Sequence, residues 1–246
     1  MRKAMLRLFG LAWPGLLSVT SLVQAGPKPT VVELFTSEGC SSCPPAEAMI
    51  GVLAQRRPDV IALAFHVDYW DYIGWRDRFE LPEATERQRR YSHALRLNTV
   101  YTPQLVVDGQ RDQVGGNDAA TVPVSTRGQG FSLDIAVREE HIEEHIEVSI
   151  GASTHGTSLP ASAYDVLLVS YLPEGVSKIT RGENSGRELH EFNIVRSLRR
   201  IGTWTGDAAT FSVPLKSLPG DATQVAVLVQ GANEGPIIGA ATHAVR

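Results

Sequence analysis

The two cysteines of this chain, Cys40 and Cys43, are the residues best suited to chemistry, because they stand only two residues apart. A Cys-x-x-Cys pair between a strand and a helix is the arrangement used for thiol–disulfide exchange. An apolar, β-branched stretch from Val31 to Thr36 precedes the pair, and the segment from Ala46 to Ala54 has the composition of a helix. The pattern therefore indicates a redox-active pair.

Two other interpretations of the pair compete with redox chemistry. A structural disulfide here closes a very small loop, worth only about 2 kcal/mol on the chain-entropy estimate, against more than ~4 for a loop of ~100 residues. A zinc site lacks its second half, because no other cysteine exists. In a redox pair, Cys40 lies just before the helix, where unpaired N–H groups and the helix dipole stabilise a thiolate. Redox chemistry is favoured, and the structural disulfide stays open.

The elements around the pair predict where it lies. An apolar strand from Val60 to His66 follows the first helix, and such a strand–helix–strand unit forms a right-handed parallel crossover. Both strands then end at one edge of the sheet, so Cys40 and His66 are expected to lie close together. His66 and Asp68 could move protons to a leaving thiol, or His66 could be a hydrogen-bonded structural residue.

Three further elements complete the first half of the chain. The aromatic segment Tyr69–Trp75 either packs on the sheet edge as a satellite core or forms a lid beside Cys40. A polar, Arg-rich helix is predicted from Pro82 to Leu97. Thr102-Pro103 then opens a strand, Gln104 to Asp108, and a proline at a strand start is ordinarily an edge proline.

The second half of the chain has a different composition. Residues 122–130 are rich in Ser, Thr, Gly and Gln, which predicts a boundary between a domain over residues 26–124 and one over residues 125–246. Beyond it, apolar residues alternate with polar ones, which predicts an antiparallel β-sandwich. His141 and His145 flank a polar hairpin turn in this interpretation rather than a metal site. The basic segment Lys178–Arg200 could bind an acidic partner, or form a solvated face with internal salt bridges.

The first residues have the pattern of a secretory signal peptide. Basic residues precede an apolar run from Leu8 to about Val23, which ends in small residues at Ala25. We predict a signal peptide over residues 1–25, with an N-terminal membrane anchor as the alternative. Its removal lowers the formal net charge from −4 to −7, which disfavours nucleic-acid binding. A periplasmic or secreted location follows, which is an oxidising environment for the cysteines.

The segment from Val31 to about Gly116 resembles the thioredoxin fold. That resemblance implies that Cys40 is the attacking thiol, Cys43 the resolving thiol, and Pro103 a cis-proline that follows Thr102 and faces the pair. Thioredoxins also place a buried acid on the strand before the motif; Glu33 is the nearest candidate here, one residue further away, and could equally be a strand acid paired at the surface. The Trp-Cys-Gly-Pro-Cys motif of thioredoxin is absent from this chain, which has two serines between its cysteines. Residues between the cysteines tune the redox potential, so the resemblance does not imply whether the pair oxidises or reduces its partners.

The whole mature chain is similar to a bacterial family of secreted, thioredoxin-like proteins of unknown function. The runs that carry the similarity are Glu33–Pro45, His66–Asp71, Tyr101–Gln104 and Arg181–Asn184.

Together these observations predict an α/β thioredoxin-like domain with an aromatic insertion, followed by an antiparallel β-sandwich-like domain. The predicted function is an exported thiol–disulfide oxidoreductase that needs no cofactor or metal and acts on protein thiols or disulfides in the cell envelope. No nucleic acid and no stable membrane span after signal cleavage are expected. The alternative is a non-catalytic envelope binding module that carries a static disulfide.

Overall fold

A computed structural model describes residues 28–123, 133–140, 144–153, 159 and 163–245 of the chain. The predicted signal peptide, most of the predicted domain boundary and His141 lie outside the described residues. The first half of the chain contains β1 (Thr30–Thr36), α1 (Pro44–Arg56), β2 (Val60–His66), α2 (Pro82–Ala94), β3 (Gln104–Val107) and β4 (Arg111–Val114). The second half contains β5 (Ile135–Glu140), β6 (His145–Ile150), β7 (Tyr164–Lys178), β8 (Glu188–Trp204), β9 (Ala209–Pro214), β10 (Gln224–Gly231) and β11 (Ile237–Ala244).

The strands and helices predicted in the first half are confirmed. The apolar runs before and after α1 form β1 and β2, which pair in parallel with Thr36 opposite His66. The two strands therefore end at the same edge of the sheet, as the crossover argument requires. Short helical turns occupy Asp71–Ile73, within the aromatic segment, and Ala119–Thr121. Neither of the described α-helices is long and apolar enough to cross a membrane.

The predicted fold class is wrong. The protein is mostly β, with one mixed sheet of eight strands in the order β11-β10-β7-β8-β2-β1-β3-β4 and a second sheet of three strands in the order β5-β6-β9. Only two α-helices occur among the described residues. A thioredoxin-like α/β domain followed by a separate β-sandwich does not describe this arrangement, because strands from both halves of the chain share the large sheet.

The pairing of strands from the two halves explains why the fold class was predicted wrongly. β8 pairs in parallel with β2 at a single register position, Ala64 opposite Ile194. Beside it, Asn193 has a positive φ of 48° and its side-chain amide donates to the Ala62 carbonyl at 2.8 Å. The apolar pattern of β2 predicts a buried strand, but it carries no information about which strand covers its free edge.

The core is divided by the faces of the large sheet. Val32 and Leu34 point to the face covered by α1, whereas Val31 and Phe35 point to the face covered by α2. A third cluster lies where the three-stranded sheet packs against β7 and β10. This alternation decides on which face each side chain of β1 lies, including Glu33.

Candidate functional site

The two cysteines form a disulfide immediately before α1, with their Cα atoms 5.4 Å apart. A turn leads into it, in which the Cys40 N–H donates to the Ser37 carbonyl at 3.0 Å and the Cys43 N–H to the Cys40 carbonyl at 3.2 Å. Cys43 is the N-cap residue of the helix, and prolines occupy the first two helical positions. Both cysteines are buried, with relative exposures of 0% and 1%.

The start of α1 offers fewer N–H donors than the sequence-based argument assumed. Pro44 and Pro45 have no N–H group, and the next two N–H groups, those of Ala46 and Glu47, both donate to the Cys43 carbonyl. The Ser42 hydroxyl lies 3.4 Å from the Cys40 sulfur. A hydrogen bond from this hydroxyl therefore accompanies the helix dipole as a source of stabilisation for a Cys40 thiolate.

The loop between β7 and β8, residues 179–187, contacts the turn that carries the disulfide and is called the β7–β8 tip below. The Asn184 side-chain amide donates to the Glu38 carbonyl at 2.8 Å and to the Cys40 carbonyl at 3.0 Å. The Ser41 hydroxyl donates to the Glu183 carboxylate at 2.7 Å. The tip is thus hydrogen-bonded to the cysteine turn at Glu38, Cys40 and Ser41.

The aromatic segment lies beside the same turn. A side chain at Gly39 would come within 3.0 Å of Trp70 and 3.1 Å of Ile73. The Trp75 indole N–H donates to the Glu38 carboxylate at 2.6 Å. A Cβ at Gly182, in the β7–β8 tip, would likewise lie 3.1 Å from Ile73 and 3.2 Å from Trp75. The aromatic segment therefore contacts both the cysteine turn and the β7–β8 tip.

Thr102 and Pro103 lie at the same end of the sheet, and the peptide bond between them is cis. The Trp70 indole N–H donates to the Thr102 hydroxyl at 2.8 Å. A Cβ at Gly115 would lie 2.9 Å from Pro103 and 3.0 Å from Ala46. Pro103 and the first turn of α1 therefore flank the same glycine, and the structure brings this dipeptide to the neighbourhood of the cysteines.

Glu33 is placed elsewhere. It is fully buried on the α2 face of β1, where its carboxylate accepts hydrogen bonds from Arg87 at 2.7 Å and from the Tyr91 hydroxyl at 2.5 Å. Among the described residues, none of its hydrogen bonds involves either cysteine. Its environment is a buried ion pair, which is neither a proton acceptor beside the disulfide nor a strand acid paired at the surface.

A different set of buried polar groups adjoins the disulfide. The His66 Nδ1 atom lies 2.8 Å from the Asp77 carboxylate, and its Nε2 atom lies 3.6 Å from the Glu47 carboxylate. Burial alone lowers the pKa of His66, but Asp77, through its charge and its hydrogen bond, and the charges of Glu47 and Glu191 raise it to about 10. His66 is therefore an imidazolium at neutral pH.

The carboxyl groups of this cluster have altered proton affinities. Burial raises the pKa of Glu47 and of Glu38, and raises the pKa of Glu191 to about 8. Burial also acts to raise the pKa of Asp77, but the charge and hydrogen bond of His66 lower it below its usual value. Three Glu side chains with raised pKa values thus adjoin an imidazolium–carboxylate pair.

A cavity of about 180 Å³ opens beside Cys43. It is lined by Ser37, Glu38, Cys43, Pro44, Glu47, Ala48, Glu188, Leu189, His190 and Glu191. Glu47 stands four residues after Cys43, and its N–H donates to the Cys43 carbonyl at 3.1 Å, so both side chains lie on one face of α1. Cys43 and three buried acids therefore line the same cavity.

The sequence-based interpretation of this cluster was incomplete. It singled out His66 and Asp68, but the Asp68 carboxylate accepts from the Thr85 hydroxyl at 2.6 Å, and Asp77 is the acid bonded to His66. Helical spacing from Cys43 could have revealed Glu47. Nothing in the sequence signalled Asp77 or Glu191, because each reaches the site through a loop or strand distant along the chain.

Comparisons with known proteins place the chain in a family. The family described as "Protein of unknown function (DUF1223)" matches residues 31–230. Protein AGR_C_4864 from Agrobacterium tumefaciens, a structural genomics target, is 30% identical; the similarity covers 88% of this chain and 94% of that chain, with a TM-score of 0.73. HBP35 of Porphyromonas gingivalis is 14% identical over 89% of this chain and 76% of that one, with a TM-score of 0.57, which is a likeness of fold. None of the curated proteins matches the chain. The chain belongs to the DUF1223 family of proteins of unknown function.

Proposed function

We propose that the protein is a thiol–disulfide oxidoreductase that acts on partner proteins through Cys40 and Cys43. The observation that carries the proposal is the position of the pair: a disulfide directly before α1, with Glu47 and the His66–Asp77 pair buried beside it. A local crosslink contributes little to stability. Buried acid–base groups next to a thiol are a recognised feature of sites that move protons.

The exchange involves two displacement steps. In the reduced protein, the Cys40 thiolate attacks one sulfur of a partner disulfide; a Cys40–partner disulfide forms, and the other partner sulfur leaves as a thiolate. The Cys43 thiolate then attacks the Cys40 sulfur and releases the second partner thiolate. The partner gains two electrons and Cys40–Cys43 becomes the disulfide; the reverse sequence oxidises a partner dithiol.

Glu47 is the proposed proton acceptor for Cys43. Both side chains line the cavity, and Glu47 shares a helix face with Cys43. The proton of the Cys43 thiol passes to the Glu47 carboxylate before the resolving attack, and returns when Cys43 becomes a leaving group. Burial raises the pKa of Glu47 and so brings its proton affinity closer to that of a thiol, while the charge of the His66 imidazolium at 3.6 Å acts in the opposite direction.

We also propose that the protein is exported, on the pattern of residues 1–25. A mature N-terminus at Gly26, measured by mass spectrometry of the protein from its own cell envelope, tests this proposal. An intact N-terminal segment would contradict it.

A second function has one observation in its favour. Both cysteines are almost completely buried, and Asn184 binds the Cys40 carbonyl from above. A static disulfide in a non-catalytic binding module of the envelope would be buried in this way. For the oxidoreductase, the same burial means that a partner must displace the β7–β8 tip to reach Cys40.

A trapping experiment separates the two functions. The Cys43→Ser variant keeps the attacking thiol but cannot resolve the mixed disulfide, so it should accumulate covalent partners in the cell envelope that a reducing agent releases. The double variant Cys40→Ser, Cys43→Ser is the matched control and should capture none. Non-covalent partners shared by the wild type and both variants, with no reducible complex, would favour the binding module.

A further inference from the structure

We propose that the cavity beside Cys43 binds the cationic side chain of a lysine or arginine that neighbours the reacting cysteine of a partner protein. The proposal rests on the proposed exchange function for the identity of the partner, and it gives that function a substrate class: protein disulfides or thiols flanked by a basic residue.

Three buried carboxyl groups from different elements line this cavity. Glu38 comes from the turn before the disulfide, Glu47 from α1 and Glu191 from β8, with relative exposures of 1%, 5% and 1%. Among the described residues, one oxygen of Glu38, one of Glu191 and both of Glu47 have no hydrogen-bond partner. A buried acceptor without a donor is destabilising, so a side chain that brings donors into the cavity stabilises these carboxyl groups.

The chain itself supplies few cations to this cavity. His66 lies between Asp77 and Glu47, so its imidazolium is already shared by two carboxyl groups. Lys178 extends into solvent, with its side chain 83% exposed, and reaches only the rim residue Glu188 at 3.9 Å. His190, also at the rim, lies 3.6 Å from Glu188. Entry of an ammonium or guanidinium group therefore favours ionisation of these acids and supplies donors to carboxyl oxygens that lack them.

A metal ion fits this set of oxygens poorly. In the described part of the chain, no group of three or more His, Cys, Asp or Glu side chains converges closely enough to hold one. Spread acceptors suit a cation whose donors are themselves spread, such as the five N–H bonds of a guanidinium or the three of an ammonium.

The size and walls of the cavity also fit a long basic side chain. A volume of about 180 Å³ exceeds the ~30 Å³ that a single water occupies, so several non-hydrogen atoms can enter. Pro44, Ala48 and Leu189 add apolar surface, against which the methylene stem of Lys or Arg packs. Because Cys43 lines the same cavity, a bound cation places the flanking chain of the partner next to the disulfide.

Unreactive peptides test the binding site apart from the chemistry. The probes are Gly-Ser-Gly-Arg-Gly and its counterpart with citrulline, which is uncharged and nearly isosteric with arginine, titrated into the oxidised protein by calorimetry at low salt. The arginine peptide should bind on the order of tenfold more tightly than the citrulline peptide. Equal affinities would overturn the proposal.

The variants locate the site. Glu191→Gln should abolish the preference for arginine, because an amide cannot ionise to pair with the entering cation, although it preserves the shape of the side chain and an acceptor for the Ser177 hydroxyl. Glu174→Gln is the matched control, since this acid is exposed on β7 and away from the cavity, and it should keep the preference. A preference that survives in Glu191→Gln would place the binding elsewhere and contradict the proposal.

Two further arms separate the possible failures. Acetylarginine amide should bind more weakly than the peptide; equal binding would identify a free small cation, rather than a partner side chain, as the ligand.

The exchange reaction tests the underlying function. Its substrates are versions of the arginine and citrulline peptides that contain a cysteine in a mixed disulfide with glutathione, and their rates of exchange with the protein are measured. If the arginine peptide binds preferentially but neither peptide exchanges, the oxidoreductase fails and the cation site stands. If both exchange at equal rates, the cation site fails and the oxidoreductase stands.

Discussion

The Cys40 sulfur has the Ser42 hydroxyl beside it, at 3.4 Å, while the neighbouring Ser41 hydroxyl donates instead to Glu183. The two serines between the cysteines therefore have different partners, the Cys40 sulfur for Ser42 and the β7–β8 tip for Ser41. Because Pro44 and Pro45 carry no N–H group, the hydroxyl of Ser42 is well placed to replace the missing backbone donors of the helix start. A thiolate on Cys40 would be stabilised by this hydrogen bond as well as by the helix dipole.

Ser42→Ala should raise the pKa of the Cys40 thiol. Loss of one hydrogen bond to a charged group, discounted for the exposure of Ser42, corresponds to about one pKa unit. The ultraviolet absorbance of the thiolate in the reduced Cys43→Ser background, followed against pH, measures the change. Ser41→Ala is the control and should leave the pKa in place; equal effects of both substitutions would contradict the assigned roles.

Glu47→Gln should slow the resolving step. The amide keeps the size of the side chain but cannot accept a proton from Cys43, and loss of a general base costs at least about tenfold in rate. Stopped-flow measurement of mixed-disulfide decay, at a pH where the wild-type Glu47 is ionised, reports this step alone. Unchanged decay rates would exclude Glu47 as the acceptor, even if the attack by Cys40 were slowed.

At the scale of elements, the β7–β8 tip is hydrogen-bonded to the turn that carries the disulfide. Asn184 is fully buried and joins the carbonyls of Glu38 and Cys40 through one amide group. The tip belongs to the second half of the chain, whereas the cysteines belong to the first. The long hairpin of β7 and β8 therefore brings a loop from the second half of the chain into contact with the cysteine turn, which belongs to the first half.

Asn184→Ala should expose the disulfide to small reductants. Two hydrogen bonds to buried carbonyls are lost, which at about 0.5–1.5 kcal/mol each corresponds to roughly a 5- to 150-fold easier opening of the tip. The rate of reduction by dithiothreitol, measured by mass after alkylation, should rise accordingly. Ser185→Ala removes a hydroxyl that bonds only within the tip, to the Thr180 carbonyl, and should leave the rate nearly unchanged. A rate of reduction in Asn184→Ala equal to that of the wild type would show that the tip does not limit access.

Individual elements of the first half could be predicted because local patterns specify them. Continuous apolar runs predict β1 and β2, and the residues after Pro44 predict α1. The sheet that these elements join could not be predicted, because the pairing of β2 with β8 rests on one register position and an Asn193 side chain. Strand alternation predicts which face of β1 carries Glu33. It does not predict the ion pair of Glu33 with Arg87, because Arg87 belongs to a polar helix and is nonetheless fully buried.

For the whole molecule, the buried acid–base cluster links stability to pH. The native protein holds the proton of Glu191 up to a pKa of about 8, whereas the unfolded chain releases it near 4.5. The unfolded state therefore binds fewer protons between these values, and stability falls as the pH rises through this range. His66 acts in the same direction: its stabilising contribution is complete below 6.5 and is lost as the pH rises through about 10.

Glu191→Gln should flatten this dependence. The amide resembles the protonated carboxyl group, so the free energy of unfolding should decrease less between pH 5 and pH 8 than in the wild type, by about 1–3 kcal/mol. Urea denaturation at the two pH values measures the difference. Glu174→Gln, at an exposed site, should retain the wild-type dependence, and an unaltered slope in Glu191→Gln would contradict the proton-holding role of this residue.

The redox equilibrium of Cys40 and Cys43 tests the proposed function most directly. The oxidised protein is equilibrated with defined ratios of reduced and oxidised glutathione or dithiothreitol, and the fraction of disulfide is read by mass after alkylation. We predict reversible interconversion of the dithiol and the disulfide at a potential above roughly −300 mV, the value below which structural disulfides resist reduction. A pair that stays oxidised well below that potential would contradict the oxidoreductase and leave a static disulfide.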